Sequence, residues 1–109
     1  MPQPASDVKI SYVISGFADC PYYQKALSVG QQLESQFPNS VVIVNKVFSR
    51  DDFHKFRQQE LKKLGHGPDY HKTCPMVYTE SAVGHHPGAL IGGCDDFINI
   101  ARTEYKLKV

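Results

Sequence analysis

The sequence predicts an α/β domain built on a mixed β-sheet. Three observations lead there. Runs of β-branched and aromatic residues alternate with stretches of helical apolar spacing, in the order β-α-β-α-β-β-α. The first two strands are joined through a helix, so they should run parallel with a right-handed crossover. The last two strands have no helix between them and should form a hairpin. The 109 residues suit one domain and are too few for two. No repeat, linker or low-complexity tract divides them, and residues 1–6 are expected to be a flexible N-terminus.

The first strand is read over residues 8–14, with Ser15 to Asp19 ending it. Pro21 suits a first helical turn, where the missing N–H would be unpaired anyway. Ala26, Val29, Gly30, Leu33 and Phe37 follow at helical spacing, and Pro38-Asn39 stops that helix. Val41-Val42-Ile43-Val44 is a continuous apolar run of the kind found in buried strands. Ser49, with Asp52 three residues on, resembles a capping box in which Asp replaces Glu. Phe53, Phe56, Leu61 and Leu64 then mark one face of a second helix, and residues 65–72 form a loop. Met76-Val77-Tyr78 is a short strand, and Ala89-Leu90-Ile91 is another that ends at Gly92-Gly93. Asp95-Asp96 opens a last helix with Phe97, Ile98, Ala101 and Tyr105 inward.

Twelve Lys and Arg oppose eleven Asp and Glu, for a net charge of +1. Such a chain has no overall electrostatic reason to bind nucleic acid or an anionic membrane. Residues 46–72 carry seven basic groups against four acidic, which reads as a solvated helix face. The six tyrosines follow no basic stripe and read as packing residues. No apolar stretch approaches the roughly 20 residues needed to span a bilayer. The first seven residues lack the basic and apolar regions of a signal peptide. Three cysteines, an odd number, argue against a secreted disulfide scaffold and for the cytoplasm. His66, His71, His85 and His86 match no zinc spacing with those cysteines, so no metal is expected.

Three features at strand ends carry chemistry. Cys20-Pro21-Tyr22 stands at a helix start, where the dipole and free N–H groups favour thiolate. Free cysteines are often buried and inert, but one placed directly before a helix-opening proline is better read as functional. Thr73-Cys74-Pro75 leads into the third strand, where a trans proline would also be tolerated. In Gly92-Gly93-Cys94-Asp95-Asp96, glycines let the backbone approach a ligand. The helix start behind them offers N–H groups to a carboxylate, and the aspartates suit an amine. A tight turn with an N-cap Asp would use the same residues.

Together these three motifs resemble the glutaredoxin family of the thioredoxin fold, over almost the whole chain. That family places Cys-Pro-Tyr-Cys or Cys-Pro-Tyr-Ser, Thr-Val-Pro with a cis-proline, and Gly-Gly-Cys-Asp-Asp at these positions. The resemblance implies a thioredoxin-like sandwich, a four-stranded mixed sheet in the order 2-1-3-4 with helices on both faces. It implies that Pro75 is cis and that Cys20 is the catalytic thiol. It also implies glutathione as co-substrate, bound by Tyr22, Lys72, Thr73, Cys74, Pro75, Gly93, Cys94 and Asp95, with Cys94 and Asp95 at the γ-glutamyl end. The activity implied is thiol–disulfide exchange between glutathione and glutathionylated proteins through one cysteine.

The departures from the family pattern are as informative. Tyr23 replaces the second cysteine or serine, which removes any Cys-x-x-Cys disulfide and is expected to crowd the site. Phe17 stands where the family carries a lysine, and Asp19 beside the thiol opposes thiolate formation. The fold should bring Cys74 beside Cys20, as a resolving thiol or, the favoured reading, as a small filler. Ala18 to Lys25, His71 to Pro75 and the long 79–87 connection are similar to the glutaredoxin-like N-terminal region of a malate-dehydrogenase-like family of ciliated organisms. The residues hold no Gly-x-Gly-x-x-Gly fingerprint, so dehydrogenase activity is not expected. The competing expectation is a catalytically silent structural or adaptor subunit that binds protein partners in a larger assembly, such as a ciliary one.

Overall fold

In a computed structural model describing residues 10–81 and 88–108, β1 (Ile10–Phe17) is the strand around which the sheet is organised. It is followed by α1 (Pro21–Gln36), β2 (Val41–Phe48), α2 (Arg50–Lys63), β3 (Met76–Ser81), β4 (Leu90–Gly92) and α3 (Cys94–Glu104). The sheet order is β2-β1-β3-β4. β1 pairs parallel with β2 and antiparallel with β3, and β3 pairs antiparallel with β4. This is the predicted thioredoxin-like sandwich.

The period-2 alternation of β1 builds both halves of the core. Tyr12 and Ile14 face α1 and α3, where Ala26, Leu33, Phe97 and Ala101 are buried with them. Val13 points the other way, into a cluster with Phe53 and Leu61 of α2 and Met76 and Tyr78 of β3. The α2 start is capped as expected, since the Ser49 hydroxyl accepts from the Asp52 N–H at 3.2 Å. Asp51 and Asp52 lie in its first turn and Lys62 and Lys63 in its last, complementing the helix dipole.

The strands differ from the sequence reading in their bounds, with β3 running on to Ser81 and β4 covering Leu90–Gly92. β1 does not end at Ser15 but runs on to Phe17, pairing with Phe48. The Ser15 hydroxyl is fully buried and donates to the Met76 carbonyl at 2.7 Å, so its polarity is satisfied inside the strand. β2 lies at the sheet edge, as the order 2-1-3-4 requires, but it is longer and less buried than its apolar run predicts. Within its apolar run only Val41 is buried, and Val42, Ile43 and Val44 are half-buried. On the free side of β2 the Ile43 N–H donates to the Glu34 carboxylate at 3.1 Å. The expectations for residues 1–6, for the first two residues of the predicted first strand, and for most of the 79–87 connection, with His85 and His86, lie outside the described residues. Among the described residues no helix is long and apolar enough to cross a membrane.

Candidate functional site

Cys20 is the N-cap of α1, in extended conformation, and its carbonyl accepts the first helical bond from Gln24 at 3.1 Å. Its own N–H donates to Phe17 at 3.1 Å, which turns the chain sharply from β1 into the helix. The peptide bond between Cys74 and Pro75 is cis, as expected. This loop faces the helix start, and the Cys20 Sγ donates to the Cys74 carbonyl at 3.6 Å. The third motif closes the arrangement. Gly92 has φ +131°, where a side chain would be strained and would strike the Asp96 carboxylate. That carboxylate accepts from the Gly93 N–H at 3.0 Å.

Between the three segments lies a cleft of about 300 Å³. Tyr22 of α1 forms one side, and His71, Thr73 and Cys74 of the cis-proline loop another. Gly93, Cys94, Asp95 and Asp96 complete it. Tyr22, Thr73, Cys74, Gly93, Cys94 and Asp95 are therefore brought together as predicted. Three of the residues named with them are not in the wall. Lys72 is exposed outside it, Pro75 is fully buried, and Cys20 lies behind it, 6% exposed. A second depression of about 340 Å³ shares His71 and Asp96 with the first and continues past Tyr70 and Leu90.

Tyr23 does not crowd the cleft. It is 3% exposed, its ring turned onto the sheet against Gly16 and its hydroxyl donating to the Asn45 side chain. The Cys74 sulfur sits over the same glycine. A Cβ at Gly16 would stand 2.7 Å from that sulfur and 2.8 Å from the Tyr23 ring. Gly16→Ala is therefore expected to destabilise the domain by about 1–3 kcal/mol, the usual cost of overpacking. Thermal unfolding checks this, and an unchanged Tm would contradict it.

Burial sets the acidity of the neighbouring thiols. The half-buried Cys74 thiol is pushed up to about 12, chiefly by burial, with its contact to Cys20 adding and Arg50 acting the other way. Burial also raises Cys94, against the opposing charge of Lys25. All three cysteines are free, and they gather at this one place. Asp19 is drawn into an exposed ion pair with Arg50 at 3.6 Å, and the Arg50 guanidinium lies 4.5 Å over the Phe17 ring. The carboxylate next to Cys20 thus has its cationic partner at the start of α2.

Three contributors were not among the residues assigned to the ligand from sequence. His71 reaches the cleft, its Nε2–H donating to the Pro75 carbonyl at 3.0 Å, and Asp96 anchors the glycine turn. Arg57, 5% exposed, donates to the Pro68 and His71 carbonyls at 2.6 Å each and so holds the loop that carries His71. Its position was a signal, because residues 53, 57 and 61 fall on one buried stripe of α2. Among the described residues no group of three His, Cys, Asp or Glu side chains could hold a metal ion.

Comparison with known proteins agrees with the region named from the sequence. Residues 11–109 match the family model described as "Putative malate dehydrogenase 1B N-terminal domain". "Putative malate dehydrogenase 1B" of Branchiostoma floridae is 32% identical over 94 residues, covering 86% of this chain and 17% of that protein. The proteins of the same name from Bos taurus and Homo sapiens are each 28% identical over 94 residues, covering 86% of this chain and 19% and 17% of theirs. The chain thus spans less than a fifth of the length of these curated relatives. With the match running over nearly its whole length, the chain belongs to the malate dehydrogenase 1B N-terminal domain family.

Proposed function

We propose that this domain binds glutathione in the cleft and exchanges it with glutathionylated proteins through Cys20. The observation that carries the reading is the cleft itself, walled by the helix start, the cis-proline loop and the glycine turn together. Its volume of about 300 Å³ lies at the lower end for small-molecule sites, roughly 300–1,000 Å³. Backbone groups of the loop suit the peptide part of the ligand. The α3 start suits its γ-glutamyl carboxylate, and Asp95 its amine. In the exchange, the Cys20 thiolate attacks the glutathione sulfur of a mixed disulfide and releases the client thiolate. A second glutathione thiolate then attacks the bound glutathionyl sulfur, leaving as glutathione disulfide and restoring Cys20. Such chemistry belongs in a reducing compartment, the cytoplasm.

A second reading is favoured by one observation. Cys20 is only 6% exposed and stands outside the cleft wall. In that reading the domain is a silent adaptor within a longer protein, docking partners in a larger assembly, with the cilium as its setting. Turnover of a glutathionylated peptide separates the two. The exchange reading expects turnover by the wild type that falls to the uncatalysed rate in Cys20→Ser. Equal rates in both proteins, or no turnover in either, would leave the adaptor.

A further inference from the structure

We infer that Cys74 is the resolving thiol of this site, closing a disulfide with Cys20 after Cys20 has taken up glutathione. The inference rests on the exchange reading above and names the thiol that completes it. Its first support is contact. The Cys20 Sγ donates to the Cys74 carbonyl at 3.6 Å, which brings together two cysteines 54 positions apart in sequence. Its second support is the space around the sulfur. The helix position that would carry a second thiol holds Tyr23, whose ring is tied down by Asn45 against Gly16. The Cys74 sulfur rests over that same glycine, so the loop supplies a sulfur beside the place where the helix has none. Its third support is exposure. Cys74 is half-buried and forms part of the cleft wall, whereas a mere filler would be sealed as Pro75 and Met76 beside it are. This reverses the preference that the sequence alone suggests.

Glutathione disulfide is the oxidant. The Cys20 thiolate attacks one of its sulfurs, breaking that S–S bond and releasing one glutathione thiolate. Cys74 then gives its proton to solvent, and its thiolate attacks the Cys20 sulfur. The Cys20–glutathione bond breaks, and the second glutathione leaves as thiolate and takes up a proton. Two protein thiols are oxidised to one disulfide, and one glutathione disulfide is reduced to two glutathione molecules. Because burial holds Cys74 protonated near neutrality, the second step should speed up with pH by about tenfold per unit between pH 7 and 9.

The full chain is treated with glutathione disulfide, quenched in acid and mapped by mass spectrometry after non-reducing digestion. Cleavage after Glu80 is needed, because Cys74 and Cys94 otherwise share one tryptic peptide. The expected product links the Cys20 and Cys74 peptides, leaves Cys94 free, and forms about tenfold faster per pH unit. In Cys74→Ser the Cys20–glutathione adduct should accumulate instead. The wild-type map stands whether or not that variant folds. A stable Cys20–glutathione adduct in the wild type with Cys74 free would overturn the inference and leave glutathione exchange standing. A Cys20–Cys94 link would overturn it as well. Neither adduct nor link would sink both readings together.

Discussion

Stability is expected to fall steadily once the pH passes 9, and this is the largest effect the buried side chains imply. Tyr12, Tyr23, Tyr78, Cys74 and Cys94 all hold their protons more tightly in the folded chain than in the unfolded one. Burial is the first cause for each. The hydrogen bond that Tyr12 shares with Tyr105 adds to it at Tyr12, and the charges of Glu60 and Glu80 add to it at Tyr78. Below the ordinary thiol value of 9.0 both states are protonated and this contribution is complete. Above it the unfolded chain ionises first, at the thiols and then at the tyrosines near 10.0. The contribution is therefore lost progressively, until the pH passes the folded values, about 12 for Cys74. Each pKa unit corresponds to about 1.4 kcal/mol. Five groups act in the same direction against a total stability of about 5–15 kcal/mol. Urea unfolding followed by circular dichroism from pH 7 to 11 should give a midpoint that drops beyond pH 9, less steeply in Tyr78→Phe. A midpoint that stays level to pH 11 would contradict this.

Arg57→Ala should cost about 3–5 kcal/mol. The guanidinium makes two short charged hydrogen bonds to backbone carbonyls, each of a kind worth about 1.5–3 kcal/mol, and its stem is buried as well. Both carbonyls, at Pro68 and His71, belong to the loop between α2 and β3. Their release should free that loop before the rest of the domain, so hydrogen exchange over residues 65–72 should rise more than in α1. Arg57→Met separates the two causes, since it keeps an apolar stem and loses only the bonds. A loss under about 1 kcal/mol in Arg57→Ala would mean that the loop is held by something else.

The order of elements was legible because apolar spacing changes period cleanly from strand to helix along this chain. The end of β1 was not, because Ser15 and Gly16 look like breakers until their partners are known. Ser15 is satisfied by a carbonyl 61 residues away, and Gly16 is small to make room for a sulfur and a ring. The apolar run of β2 could not tell an edge strand from a central one, since that depends on which strand lies beside it. The cis proline and most of the cleft wall followed from the motif resemblance, which carries information about tertiary contacts that spacing lacks. The direction of the Tyr23 ring was beyond reach. It is decided by Asn45 on a neighbouring strand and not by anything local to the helix.

The carboxylate of Glu34 on the Ile43 amide has a consequence for how this domain meets other chains. One rung of the outermost strand is already taken from within the same molecule. An incoming β-segment would have to expel a charged group before it could add a register there, which guards against runaway sheet growth and aggregation along that border.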